Sequence, residues 1–385
     1  MYPKVKPALA RAWRDRETVQ FGVTPAHAVV FGPVDTATGS LIDRIDGTRG
    51  MALLRAEASA MGLPDGRADE VVRCLAGAGL LDDATAGGPA AQAVRARPEA
   101  LARLGPDLGS LSLVHREPGG DLRGAAARRA IRVQVRGSGR VGAVIASVLA
   151  GAGVGRVEVL DGGRVEPADV APGGLGPGSV DRMRAEAAGA LVRESAPGRA
   201  PRPGGSGDPE PGFSLVVVAP RDGLHAWAPD PDTAADWVAT GTPHLYAGVL
   251  EGTGLVGPLV LPGSSACAGC MERERVERDP AWPRMLVQWR SVHRRRATAA
   301  CDLGLSTAVA GLAAAHALSF LDGSLPASTA SRWEAALPGL HWERTPVLPH
   351  PGCPCGAAGG LAEEGRRAVL EQVGGGSGGE RPEAS

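Results

Sequence analysis

Residues 131–161, IRVQVRGSGRVGAVIASVLAGAGVGRVEVLD, decide the fold of this chain. An alternating apolar run ends in the glycine loop GSGRVG at residues 137–142, a segment with helical spacing follows, and a second apolar run closes at Asp161. This order predicts strand, glycine turn, helix and strand, the opening unit of a nucleotide-binding α/β fold.

Each glycine of the loop has a separate role in such a unit. Gly137 allows the tight turn, Gly139 lets backbone approach a phosphate, and Gly142 lets the helix pack closely on the strand. Asp161 stands where a carboxylate would hold the ribose hydroxyls. Two alternatives remain open: a unit that keeps its glycines for packing and binds no nucleotide, and an NAD(P)-dependent oxidoreductase. The second leaves the paired cysteines unexplained.

Composition narrows the function classes. The chain has 385 residues and a formal net charge of -1, so it offers neither a basic field for nucleic acid nor a polybasic patch for membranes. It has no signal-peptide pattern and no run of about eighteen apolar residues, so we expect a cytoplasmic protein without membrane contact. Lys4 and Lys6 are the only lysines and asparagine is absent, so any cation beyond residue 6 is arginine or a metal.

The chain divides into four parts. Short strands followed by helices over residues 1–84 predict a small winged-helix-like α+β module. Residues 85–128 are rich in Ala, Gly, Pro and Arg, which indicates a linker with one helix around residues 99–104. The nucleotide-type domain, with a mostly parallel sheet, spans 129–356, and residues 357–385 form a low-complexity tail that we expect to be disordered.

The first module resembles the leader-peptide recognition element of the PqqD-like family in LIDRIDGTRG (41–50) and VVRCLAGAGLLDD (71–83). The resemblance implies that the module binds a peptide as an added strand on its small sheet and along the neighbouring helix. A dimerisation or DNA-binding winged helix is the alternative, although the module lacks a basic recognition helix. Cys74 is expected to be a buried packing residue of the last helix.

Two cysteine pairs predict a structural zinc site. Cys267 and Cys270 are separated by two residues, and Cys353 and Cys355 by one. Four thiolates brought together tetrahedrally would connect distant loops through the metal. Because the second spacing is short, His350 remains an alternative fourth ligand, and two reduced pairs without metal are the other alternative.

The order of GSGRVG, Asp161, CAGC and a C-terminal cysteine pair resembles the ThiF/MoeB adenylyltransferases, which are related to ubiquitin-activating enzymes. The segment CMERERVERDPAWPRMLVQW (270–289), HPGCPCG (350–356) and the first module are more similar still to the ThiF-like leader-peptide-binding proteins of azole/azoline peptide biosynthesis. The resemblance covers residues 5–356. It implies a ThiF-type Rossmann-like domain after the small module, and a homodimer.

By this resemblance ATP would bind at Gly137, Gly139 and Gly142, with Asp161 on the ribose. The family's Asn-x-x-Arg-Gln stretch is not kept, since Asp169, Pro172 and Gly173 stand at the Asn, Arg and Gln positions. Two phosphate donors are therefore missing, and a carboxylate stands beside the place of the phosphates. This predicts a degenerate adenylation site.

Other residues that the family uses have partial counterparts. The resemblance aligns its lysine with Arg184, and its magnesium-holding aspartate with Asp222, shifted by about one residue. Arg140, Arg164 and Arg221 either compensate for the missing donors or are solvated surface charges.

Cys301 stands near a position where some family members carry a sulfur-transfer thiol. A reactive thiolate needs a nearby cation, for which residues 294–296 are candidates, or a helix N-terminus. The alternative is a small buried residue.

The sequence thus predicts a ThiF-family protein that binds a precursor peptide or small protein and presents it for modification. A cyclodehydratase-type partner enzyme would supply the ATP chemistry. The alternative is an active adenylyltransferase that uses ATP and Mg²⁺ to activate a peptide or ubiquitin-like C-terminal carboxylate.

Overall fold

The computed structural model describes residues 1–198, 212–293 and 299–360. The chain forms two compact units. Met1–Ala130 make up most of the first unit, and the second begins at Ile131 and includes the described residues after 211.

The first unit opens with two small antiparallel sheets. One pairs β1 (Pro3–Val5) with β5 (Leu81–Asp83), and the other has the order β2-β3-β4, formed by Arg11–Trp13, Val19–Phe21 and Val29–Phe31. Val19 and Phe21 on the central strand are fully buried, so the three-stranded sheet turns one face to the core of this unit.

Three helices cover that core: α1 (Thr36–Asp43), α2 (Met51–Ala60) and α3 (Arg67–Gly77). Asp35 caps α1 by accepting from the Thr38 backbone N–H at 2.7 Å. The prediction that Cys74 is buried is wrong, because Cys74 is exposed. The buried stripe of α3 runs through Ala68, Val71, Val72 and Leu75, and position 74 lies about a third of a turn away from its centre.

Residues 85–130 differ from the linker that the sequence predicts. They hold four helices, α4 (Gly88–Arg95), α5 (Pro98–Arg103), α6 (Gly105–Val114) and α7 (Gly120–Ala130). Of these, α5 corresponds to the one expected helix. The helices bury a cluster of their own, formed by Ala91, Val94, Leu104, Leu108, Leu111, Leu122 and Ala125. Lys6, only 2% exposed, ties them to the first strands by donating to the Ser112 carbonyl at 2.6 Å and the Arg116 carbonyl at 3.1 Å.

The second unit is built on a seven-stranded sheet with the order β12-β11-β10-β9-β8-β6-β7. Its strands are β6 (Arg132–Arg136), β7 (Arg156–Leu160), β8 (Leu215–Val218), β9 (His244–Leu250), β10 (Thr253–Val260), β11 (Ser331–Ala336) and β12 (Glu343–Pro346). Strands β7, β6, β8 and β9 are parallel, and β10, β11 and β12 continue the sheet antiparallel. The predicted fold class, a Rossmann-like α/β domain after a small α+β module, is confirmed.

The helices of this unit are α8 (Arg140–Gly151), α9 (Arg184–Ser195), α10 (Leu224–Trp227), α11 (Pro231–Ala239), α12 (Ala268–Arg278), α13 (Trp282–His293), α14 (Leu303–Leu321) and α15 (Ala357–Gly360). The main core lies where α8 and α14 pack on the sheet.

Helix α14 is long and apolar enough to cross a membrane by length and composition alone. Its Leu305, Val309, Ala310 and Ala313 are nevertheless buried in that core, as in a central helix of an α/β domain. The low-complexity tail predicted from residue 357 lies, from 361 onwards, outside the described residues.

Candidate functional site

The glycine loop joins β6 to α8 as the sequence predicts, and close packing explains two of its glycines. Gly137 has φ 102°, and a Cβ there would lie 2.1 Å from the Ala219 carbonyl oxygen. A Cβ at Gly142 would lie 2.1 Å from the Gly137 carbonyl oxygen. Both positions exclude a side chain whether or not a nucleotide binds.

Asp161 follows β7 and points back to the glycine loop. Its Oδ2 accepts from the Ser138 backbone N–H at 2.7 Å and from the Ser138 hydroxyl at 2.8 Å. The Nε of Arg184 lies 3.2 Å from the same oxygen. The expected ribose-binding carboxylate is thus held rigidly beside the loop, with Ser138 as a positioning residue that the sequence did not single out.

Arg221 lies across the third position of the loop. A Cβ at Gly139 would meet Arg221 Cγ at 3.2 Å, so the stem of this arginine lies against the glycine at which backbone would approach a phosphate. Its guanidinium donates to Asp169 Oδ1 at 2.5 Å and to Glu166 Oε2 at 2.6 Å. Burial opposes the charge of Arg221, but these hydrogen bonds raise its pKa, and the bonds to Arg221 lower the pKa of Glu166.

Asp169 itself is buried, with 2% of its side chain exposed. A capping box holds it, in which Asp169 Oδ2 accepts from the Glu166 backbone N–H at 2.9 Å. Arg184 approaches from the other side, with its Nη1 at 3.8 Å from Asp169 Oδ2. The carboxylate at the family's Asn position therefore lies between two arginines.

The other arginines near the loop donate to backbone carbonyls. Arg140 bonds the carbonyls of Ala168 and Cys301, both at 2.7 Å, and Arg164 bonds that of Asp181 at 2.5 Å. Arg184 also donates to the Arg164 carbonyl at 2.7 Å. These contacts are structural, and of the arginines weighed from the sequence only Arg184 and Arg221 reach the carboxylates of the site.

Asp222, aligned with the magnesium-holding aspartate, lies beside this group on the loop after β8. Its Oδ2 is 3.0 Å from Nδ1 of His225, and about a third of its side chain is exposed.

Cys301 is half-buried against the main core. Burial raises the pKa of its thiol, and the charge of Arg140 only partly opposes this. A thiol held protonated is a poor nucleophile, so the geometry favours the packing role. Residues 294–296, the cations considered for it, lie outside the described residues.

The two cysteine pairs do meet. Their four Sγ atoms lie within 4.8 Å of one another, with Cys267–Cys270 at 3.8 Å, Cys267–Cys353 at 3.6 Å and Cys270–Cys355 at 3.5 Å. Zn–S bonds of about 2.3 Å in a tetrahedron place sulfurs about 3.8 Å apart. The cluster therefore has the donor set and spacing of a metal site, in spite of the short second pair.

His350 does not take part in this cluster. Its Nε2 is 2.8 Å from Glu277 Oε1, and its Nδ1 accepts from the Gly352 backbone N–H at 3.0 Å. Both ring nitrogens are engaged away from the sulfurs, so the alternative fourth ligand is not supported.

Sequence inspection missed Glu166, which holds Arg221 together with Asp169. A signal for it exists, since Glu166-Pro167-Ala168-Asp169 has the spacing of a capping box with proline at the first position.

A glycine loop between a parallel strand and a helix, an acid after the next strand and a four-cysteine cluster beyond the antiparallel strands define a ThiF-type nucleotide-binding fold. Residues 120–203 match the model of the ThiF family. A comparison with curated protein sequences finds no match.

Solved structures extend the likeness to nearly the whole chain. E. coli MccB with ATP has a TM-score of 0.64 at 14% identity, covering 92% of this chain and 99% of that one. The microcin C7 biosynthetic enzyme MccB in complex with N-formylated MccA gives 0.63 at 14% identity, with the same coverage. PaaA gives 0.65 at 14% identity, covering 89% of this chain and 99% of that one. At this identity the likeness is one of fold, and it confirms the predicted ThiF/MoeB-like architecture.

Proposed function

We propose that this chain captures a precursor peptide or small protein and presents it to a partner enzyme, while its own adenylation site is degenerate. The observation that carries the proposal is Arg221, whose stem lies against Gly139 and whose guanidinium is held by Asp169 and Glu166. A triphosphate would have to displace this arginine and then lie beside two carboxylates, which repel it.

The loss of donors points the same way. Pro172 and Gly173 stand where the family pattern places phosphate-binding Arg and Gln side chains. Gly173 cannot donate from a side chain, and its carbonyl accepts from the Ser147 hydroxyl at 2.5 Å. The ATP chemistry would then come from a partner, for which a cyclodehydratase-type subunit is our candidate.

Titration calorimetry of Mg·ATP into the zinc-loaded full chain tests this proposal. We expect no saturable binding up to about millimolar ATP, which corresponds to less than about 4 kcal/mol of binding free energy. A micromolar dissociation constant would overturn it. A shift in the unfolding temperature with ADP and with inorganic pyrophosphate is a second measurement for the same question.

An active adenylyltransferase is the second candidate, and the intact loop with Asp161 favours it. The related fold of MccB has been solved with ATP. In this alternative Arg221 leaves its carboxylates when ATP binds and donates to the phosphates instead. ATP–pyrophosphate exchange that depends on a peptide with a free C-terminal carboxylate would establish it.

We place peptide capture on strand β4 of the first unit. Gly22 N–H donates to the Ala10 carbonyl and Arg14 N–H to the Thr18 carbonyl, which fixes the hydrogen-bonded pairs between β2 and β3. The alternation then directs the N–H and C=O of Val30 away from β3, to an edge with no partner strand in the described part of the chain. The Val30 side chain beside that edge is 51% exposed. MccB, which shares the fold, has been solved with its MccA peptide.

Val30→Pro tests this placement, because it removes one N–H from the open edge and leaves the β3 ladder intact. Peptides would be selected on the full chain from a displayed random library, and their affinities measured by fluorescence anisotropy. We expect Val30→Pro to weaken them at least about tenfold, a loss of about 1.4 kcal/mol, and the matched Val30→Thr to leave them unchanged. Equal affinity for both variants would exclude the β4 edge.

We further propose that the four cysteines hold a structural zinc ion. Its ligands would be Cys267, Cys270, Cys353 and Cys355. Four thiolates fill a tetrahedral coordination sphere, so no position would remain for water or substrate. The metal would supply stability and no chemical step.

A further inference from the structure

A buried and a half-buried arginine adjoin each other on the antiparallel side of the second unit. Arg275 of α12 and Arg332 of β11 both donate to the carbonyl oxygen of Trp227, at 2.6 Å and 3.0 Å. Trp227 ends helix α10, so its carbonyl has no partner within that helix. The Trp227 carbonyl oxygen, which is uncharged, thus accepts hydrogen bonds from two guanidinium groups.

Tryptophan rings flank the pair. The Arg275 guanidinium lies 4.9 Å from the centre of the Trp282 ring, and that of Arg332 lies 5.2 Å from the Trp227 ring. Cation–π contacts of this kind stabilise a guanidinium but leave its N–H groups free to bond an acceptor in the guanidinium plane. Arg275 and Trp282 belong to the segment 270–289 that carried the family resemblance, and neither has a role in the nucleotide or zinc sites.

The charges of the pair are poorly balanced. Arg332 is 6% exposed, and its nearest carboxylate, Glu334, lies 3.7 Å from its Nη1. Glu274, on the same helix as Arg275, is paired with Arg278 at 2.5 Å, and its charge and that of Glu334 only partly offset the effect of burial on the two arginines. Burial, and next the charge of Arg332, lower the pKa of Arg275 to about 9. Two cations at such a place are costly unless an anion joins them.

Donor groups remain for that anion. The Nε of Arg332 is buried and has no hydrogen-bond partner in the described structure. The hydroxyl of Tyr246, which is 2% exposed and feels the charge of Arg332, is also buried without a partner. Arg275 is only half-buried, which gives the group a route to solvent.

From this geometry we propose that Arg275 and Arg332, between Trp227 and Trp282, form a binding site for a carboxylate group. Guanidinium forks match the planar carboxylate, which accepts two bonds side by side. The adjoining rings favour a small carboxylate with an apolar neighbour over a highly charged phosphate. The site is independent of the proposed peptide edge on β4 and of the glycine loop.

Acetate tests the proposal directly, with the zinc-loaded full chain and chloride at the same ionic strength as reference. We expect a saturable rise in the unfolding temperature with acetate that chloride does not give, and saturation transfer from the protein to the acetate methyl protons. Triglycine and its C-terminal amide separate the two sources: a response to triglycine alone extends the site to peptide C-termini, and a response only to acetate restricts it to small free carboxylates. Either result supports the site.

Arg275→Met distinguishes this site from a structural arginine. It removes one of two repelling cations, while Arg332 still bonds the Trp227 carbonyl, so the variant should be at least as stable as wild type in chloride and should lose the acetate response. Arg278→Met, on the same helix but exposed, is the matched control and should keep it. Arg275→Lys, which keeps the charge without the fork, should bind acetate about tenfold more weakly.

Three outcomes overturn the proposal. They are an acetate effect equal to that of chloride, an acetate response that persists in Arg275→Met, and inorganic phosphate binding more tightly than acetate.

Discussion

At the scale of single residues, Glu166 and Asp169 are the carboxylates that hold Arg221 beside the glycine loop. Together they hold Arg221 across Gly139, and Asp169 also faces Arg184. The contacts of Arg221 join residues more than fifty positions apart in the chain. In our proposal the missing donors at Pro172 and Gly173 would weaken ATP binding, and this ion-paired arrangement would oppose it further.

Neutralising both carboxylates should therefore open the site. In the double variant Glu166→Gln, Asp169→Asn we expect Mg·ATP affinity to rise at least about tenfold, because two negative charges leave and Arg221 is released to the phosphates. Calorimetry measures it. Glu186→Gln, which removes an exposed carboxylate paired with Arg182, is the control. If the double variant still binds no ATP, the carboxylates are not what closes the site.

Substitutions of two loop glycines distinguish a packing role from a phosphate-binding role. Gly142→Ala should lower the free energy of unfolding by about 3 kcal/mol or more without any nucleotide, because its Cβ would lie 2.1 Å from the Gly137 carbonyl. In Gly139→Ala the nearest atom to the new Cβ would be Arg221 Cγ at 3.2 Å, a far milder contact, so this variant should cost far less. Urea unfolding of the two variants compares them. Equal losses would show that the loop packs differently.

At the scale of elements, the cysteine cluster connects the start of α12 to the segment after β12. Cys267 precedes α12 and Cys270 lies in its first turn, while Cys353 and Cys355 come more than eighty residues later. The hydrogen bond from the Cys267 thiol lowers the pKa of Cys270, so the pair already favours one thiolate. A metal ion at this cluster would bind the thiolates directly.

The zinc content should depend on the cysteine thiolates and not on the neighbouring His350. We expect about one zinc per chain by elemental analysis, and Cys353→Ser should lose most of it and unfold about 5 °C lower or more. His350→Gln should keep the zinc, because both imidazole nitrogens bond elsewhere. Loss of zinc in His350→Gln with retention in Cys353→Ser would reverse the ligand assignment.

Local patterns explain which elements could be predicted. The unit β6-α8-β7 carries alternating apolar strands around a glycine loop, and its bounds agree with the sequence prediction within a few residues. Helices α4 to α7 were missed, apart from α5, because Ala, Gly and Pro dominate their composition and their buried positions are spread over four short segments. Leu104, Leu108 and Leu111 do have helical spacing, but the glycine and proline residues between them hide this pattern.

Some residues of the candidate sites could likewise be predicted from local sequence patterns, and others could not. Gly137, Asp161 and the cysteines are recognisable from spacing alone, and the cysteines converge although they come from distant loops. The Arg221 contacts and the arginine pair on Trp227 depend on tertiary packing between residues far apart in sequence, and no local pattern predicts them.

At the scale of the whole molecule, a net charge of -1 leaves little general repulsion near neutral pH, so buried groups dominate the response to acid. His244 in the second unit is fully buried, and burial lowers its pKa from 6.5 to about 4. Burial also lowers the pKa of His316 on α14. In the first unit hydrogen bonds from Thr48 lower the pKa of Asp46 to about 2.

The signs follow from these directions. A histidine with a lowered folded pKa stabilises above its unfolded pKa of 6.5, and this is lost as the pH falls towards about 4, because the unfolded state takes the proton first. A carboxylate with a lowered pKa keeps its contribution until the pH falls below its unfolded value of 3.8. The second unit should therefore lose stability between pH 6.5 and 4. The contribution of Asp46 to the stability of the first unit should be lost only below that window.

For His244 the loss by pH 5 is about 2 kcal/mol. Scanning calorimetry of the full chain at pH 7 and pH 5 should show a fall in the unfolding temperature of the second unit, and His244→Phe should make that fall smaller because its buried ring has no proton to gain. Acid release of zinc adds to the fall in both proteins, so the difference between them isolates His244. His341→Gln, at an exposed histidine, should behave as wild type. An equal fall in wild type and His244→Phe would mean that His244 is not the buried neutral group that governs this window.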